Sequence, residues 1–124
     1  MNKKYLTWAE IDFSALHYNL EMVRRQLHPG TRVMAVVKAN AYGHGAVEVS
    51  RALVDYGVDA LAVSTVSEAV QLRKNKIGSP ILVLGPVTDQ EMEDLFEYSL
   101  IPTLNSPEMA SSLNQWGRQR GQKI

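Results

Sequence analysis

Val33-Met34-Ala35-Val36-Val37-Lys38-Ala39-Asn40-Ala41-Tyr42-Gly43-His44-Gly45, residues 33–45, is the stretch on which the fold turns. Its first five residues are all apolar, the pattern of a strand covered on both faces, as in a parallel sheet. Lys38 ends that run. The C-terminal edge of parallel strands is where α/β folds place their active sites, and an amine there can project into a cleft. A lysine in apolar surroundings, here Val36 and Val37, is the kind that attacks a carbonyl cofactor. The plainer reading is a lysine whose stem lies on the strand and whose head reaches solvent. Tyr42-Gly43-His44-Gly45 then precedes a helix. Two glycines, the amides of a helix N-terminus and the Tyr42 hydroxyl suit a phosphate, and equally an ordinary βα turn punctuated by glycine.

Outward from this stretch the chain alternates. A helix from about Ala46 to Tyr56 puts Val49, Leu53 and Tyr56 inward and stops at Gly57. Leu61-Ala62-Val63 is the next strand, and Thr65 with Glu68 forms a capping box for a helix closed by Gly78. Ile81 to Leu84 is another strand, followed by a second box, Thr88 with Glu91. Leu100 to Thr103 is a shorter strand, Ser106-Pro107 opens a helix that Gly117 and Gly121 weaken at its end, and Lys123-Ile124 can begin one more strand. Upstream, Thr7 to Asp12 reads as a short strand. Ser14 caps a helix with Leu16, Leu20, Val23 and Leu27 on one stripe, ended by Pro29-Gly30. From residue 33 the order is strand then helix, four times, with strands beginning near 33, 60, 81 and 100. Such units imply parallel strands with right-handed crossovers. The fold class is α/β, and pattern alone leaves open a doubly wound sheet or half of a (β/α)8 barrel.

Thirteen basic residues balance thirteen acidic ones, which argues against a surface dedicated to nucleic acid or an anionic membrane. With no cysteine, thiolate and disulfide chemistry are excluded. The start, Met1 to Asp12, has no uninterrupted apolar core of a signal peptide, and no run approaches the ~20 residues of a membrane span. A cytoplasmic location is the expectation. His17 and His28 lack metal-ligand spacing, and no metal site is expected. Trp116 with Arg118 and Arg120 reads as a solvated helix face, and Met22, Met34, Met92 and Met109 read as core fillers.

Residues 36–45, Val-Val-Lys-Ala-Asn-Ala-Tyr-Gly-His-Gly, resemble the pyridoxal phosphate attachment signature of bacterial alanine racemases. Trp8 to Asp12 resembles that family's opening strand, and Ile81 to Gly85 the end of a strand that lines the cofactor. The resemblance covers essentially the whole chain. It implies a partial (β/α)8 TIM-type barrel of about four βα units preceded by a short strand and helix, being residues 1–124 of the N-terminal barrel domain. It also implies interconversion of L- and D-alanine by a head-to-tail homodimer. Lys38 would hold pyridoxal 5'-phosphate as a Schiff base and act as base on one face. Tyr42 matches a tyrosine near the phosphate, and Leu84 an apolar residue beside the ring. In the family the opposite-face base is a tyrosine of a C-terminal, mostly β domain, contributed by the partner subunit. It falls beyond Ile124, as do the groups holding the pyridine nitrogen and the substrate carboxylate. The chain is thus expected to be a partial racemase, marginally folded and inactive alone. Two other readings stand beside this one: a cofactor-binding module without catalysis, and an unrelated open α/β phosphate-binding domain.

Overall fold

A computed structural model describes residues 7–123. The chain divides into two compact units, Met1–Thr31 and Arg32–Ile124.

The described part of the first unit is built around α1 (Phe13–Arg24). Residues 7–12 form no strand. Trp8 and Ile11 stand three apart, which would put them on opposite faces of a strand, and Asp12 is committed to the helix. Its carboxylate accepts from the amides of Ser14 (2.8 Å) and Ala15 (3.0 Å), so Asp12 is the N-cap in place of Ser14. A charged acceptor at a helix N-terminus is favoured by both hydrogen bonding and the helix dipole. α1 ends at Arg24, ahead of Pro29-Gly30. Of the expected stripe, Leu20 is buried and Leu16 half-buried, while Val23 and Leu27 are exposed.

The second unit holds four parallel strands in the order β1-β2-β3-β4: Met34–Val36, Ala60–Val63, Ile81–Val83 and Ile101–Pro102. Between them come α2 (Lys38–Tyr42), α3 (Ala46–Asp55) and α4 (Val66–Lys74). A 3-10 turn (Asp89–Glu91) leads into α5 (Met92–Glu97), and α6 (Pro107–Arg120) follows β4. Both capping boxes form as the sequence indicates, the second on the 3-10 turn. Ser106 caps α6 with Pro107 in its first turn. Lys76, at φ 65°, takes the left-handed position after α4, so the helix closes before Gly78. Lys123 continues no strand, and Ile124 lies outside the described residues.

Register aligns Val36 with Ala62, Ala62 with Leu82, and Leu82 with Ile101. The opposite face carries Leu61, Val63, Ile81 and Val83, all essentially without exposed surface. Beside it are the buried Leu53 of α3, Leu72 of α4 and Leu95 of α5. Each fully buried aliphatic side chain contributes about 1.5–3 kcal/mol, so this face is the core. On the first face Ala60 and Ala62 of β2 are buried, whereas β1 is open. Met34 (46% exposed) and Val36 (41%) contradict the expectation of a strand covered on both sides. A (β/α)8 barrel leaves such a face for its remaining strands to cover with side chains.

Candidate active site

β1 stops at Val36, and Val37 (φ −123°, ψ 23°) turns the chain off the extended path while its amide still bonds the Ala62 carbonyl (2.8 Å). Lys38 follows, half-buried, at the C-terminal edge of the sheet. Leu84 follows directly on β3, at the same C-terminal edge of the sheet. Leu84 is 42% exposed and its amide bonds the Val63 carbonyl (2.8 Å). Two of the three residues singled out from sequence thus lie just past the ends of β1 and β3, at one edge of the sheet.

The third, Tyr42, sits on a turn the sequence does not announce. Ala39 (φ 50°, ψ 51°), Asn40 (55°, 44°), Ala41 (52°, 48°) and Tyr42 (φ 55°) form a left-handed helical turn, closed by Gly43 at φ 87° and Gly45 at φ 93°. Left-handed backbone costs L-residues about 1–2 kcal/mol each, and only asparagine among these four visits it readily. Strain of this kind collects at functional sites and persists only where neighbours over-determine it. Here the amides of Ala41 and Gly43 bond the carbonyls of Val37 and Ala39, and the Asn40 side chain accepts from the Ala46 amide (2.8 Å). The Glu68 carboxylate accepts from the Ala39 amide (2.7 Å).

Within the glycine segment itself, the backbone donors are already engaged. The amides of Gly43, His44, Gly45 and Ala46 all point to acceptors within the turn. His44 itself is tied down, with Nδ1 2.9 Å from the Ala41 carbonyl. The Tyr42 side chain is 59% exposed.

Two residues passed over as functional in the sequence complete the edge. Glu68, recognisable only as half of a capping box, also accepts from the Ser64 (2.7 Å) and Thr65 (3.2 Å) amides. Gly85 donates to the Ser64 carbonyl (2.9 Å), and a Cβ there would lie 2.5 Å from that oxygen. The turns after β1, β2 and β3 are therefore laced together. No three His, Cys, Asp or Glu side chains gather as a metal site among the described residues, and no helix there is long and apolar enough to cross a membrane.

An amine just past β1, an apolar side chain just past β3 and a phenol on a strained turn are the pattern that comparison with known proteins matches. The family defined as "Alanine racemase, N-terminal domain" matches residues 11–124. The chain belongs to the alanine racemase N-terminal domain family. An alanine racemase of Halothermothrix orenii is 46% identical over 117 residues, covering 93% of this chain and 31% of that protein. The solved alanine racemase of Clostridium difficile 630 superposes with a TM-score of 0.95 at 39% identity, covering 98% of this chain and 32% of its own. A histidine racemase of Leuconostoc mesenteroides superposes at 0.82 with 25% identity, over 90% of this chain and 30% of its own. The chain thus spans about a third of the length of these alanine racemases.

Proposed function

We propose that residues 1–124 are the N-terminal portion of a racemase's cofactor-binding barrel, and that Lys38 is the attachment point for pyridoxal 5'-phosphate. The observation that carries this is the place of Lys38, half-buried where a parallel strand meets a left-handed turn. The surrounding residues fit that group. Val36 and Leu84 would offer exposed apolar surface to an aromatic ring, and the exposed Tyr42 hydroxyl could donate to a phosphate oxygen. Bound there, the coenzyme supplies the electron sink that stabilises an amino acid α-carbon after its proton leaves. Lys38 Nζ is the base for one face of that carbon, and the tethering of its backbone keeps the amine within reach. Racemisation also needs a proton carrier on the opposite face. The 124-residue polypeptide alone is therefore expected to bind the coenzyme and to interconvert the alanine enantiomers far more slowly than an intact racemase.

Alanine is the proposed substrate because the relatives matched over nearly all of this chain are named for it. A cytoplasmic homodimer is the proposed working form of the intact enzyme. Incubation with pyridoxal phosphate, borohydride reduction and peptide mapping should place the label on Lys38 and none on Lys38→Ala. Label scattered over other lysines and undiminished by Lys38→Ala would overturn the proposal.

A further inference from the structure

A capping-box glutamate normally folds back on its own helix, and Glu68 does so through Oε2, which accepts from the Ser64 and Thr65 amides. Oε1 does something the box does not require. It reaches across 29 residues to the amide of Ala39, at 2.7 Å. That amide belongs to the peptide joining Lys38 to Ala39, the first link of the left-handed turn. Bonds from amides to an ionised carboxylate are short and strong, and Glu68 is half-buried, which limits competition from water. The other end of the tether is fixed as well. The Ser64 carbonyl takes the Gly85 amide at 2.9 Å, so the peptide backbone around Ser64 is held from β3 and from α4 together.

We propose that Glu68 is the positioning residue for Lys38: by holding the Lys38–Ala39 peptide plane, its carboxylate sets the direction in which the lysine side chain leaves the sheet edge. The proposal rests on Lys38 being the coenzyme's attachment point. It assigns Glu68 no contact with coenzyme or substrate.

The test compares Glu68→Gln with Thr65→Ala. Glutamine keeps the size but turns an NH2 group towards one of the backbone amides. Thr65→Ala removes the helix cap, whose hydroxyl accepts from the Glu68 amide, and leaves the carboxylate in place. Amide exchange is read by NMR at Ala39 and, as a gauge of global stability, at Leu61 in β2. In Glu68→Gln, exchange at Ala39 should rise about tenfold relative to Leu61, the scale of one charge-assisted bond. The apparent affinity for pyridoxal phosphate, followed by the visible absorbance of the lysine adduct, should fall by a similar factor. In Thr65→Ala the Ala39-to-Leu61 ratio and the affinity should stay at the wild-type values. An unchanged ratio in Glu68→Gln, or an equal loss of affinity in Thr65→Ala, overturns the proposal. If the wild-type chain forms no adduct, the attachment reading fails and Glu68 loses its positioning role, while the exchange ratio still decides whether it holds the peptide. If Glu68→Gln does not fold, the wild-type protein is titrated instead. The Ala39 amide proton should then shift with the same midpoint as the Glu68 carboxyl carbon, and a separate midpoint overturns the proposal.

Discussion

Ser50 on α3 is wholly buried, and its hydroxyl oxygen has no hydrogen-bond partner. Burying a hydroxyl without compensation is unfavourable. Ser50→Ala should therefore raise the unfolding free energy by about 1 kcal/mol in urea titration. A fall would mean that the hydroxyl is satisfied in solution. Methionine shows the limit of reading single residues from type. Met92 and Met109 are buried as expected of core fillers, whereas Met22 and Met34 are exposed. Trp116 departs in the other direction. Read as part of a solvated face, it is half-buried and stacks on Phe96 (ring centroids 6.4 Å apart), with the Arg120 guanidinium 5.1 Å from its ring.

Among the elements, α4 shows how one side chain joins several. Arg73, in its last turn, donates to the carbonyls of Tyr98 (2.9 Å), Ile77 (2.6 Å) and Ser79 (2.7 Å), tying the helix end to the approaches of β3 and β4. Burial lowers its pKa from the usual guanidinium value, yet arginine stays charged at neutral pH. Arg73→Met keeps the stem and strands these three acceptors and the Ser99 carbonyl at 3.4 Å, and should cost about 2 kcal/mol of stability. A neutral result in denaturant titration would show that water replaces the guanidinium. Elements of this sort were legible in part. Strands expected near 33, 60, 81 and 100 begin at Met34, Ala60, Ile81 and Ile101, because short apolar runs bounded by caps and turn residues are local signals. The left-handed turn was not legible, since Ala39 and Ala41 carry no preference for it and what holds it is non-local. The box at Thr65 and Glu68 could be read from spacing, but the second use of Glu68 could not, because its partner amide lies on another βα unit. Lys38 is legible in the contiguous motif 36–45 and Leu84 in the separate stretch 81–85, while the neighbourhood of their two strand ends emerges only with the strand order.

At the scale of the whole second unit, one face of the sheet is finished and the other is not. Among the described residues β1 and β4 are edge strands, and exposed Val36, Ile101 and Leu104 add apolar surface beside them. An open cavity of about 680 Å³ between β4 and α6 is lined by Phe96, Ile101, Leu104 and Leu113, away from Lys38, Tyr42 and Leu84. Unpaired edges with apolar side chains promote association. The isolated 124-residue polypeptide should sediment with a concentration-dependent weight, and Ile101→Lys should shift it towards monomer. A wild-type monomer across the micromolar range would contradict this. The rim near Lys38 behaves differently, because the Ala39, Ser64 and Gly85 backbones are joined through one carboxylate and one close glycine contact. Those three loops share their hydrogen-bond partners. Opening any one removes a bond that another relies on, so a substitution at Gly85 is expected to raise amide exchange at Ala39 as well as at Gly85 itself.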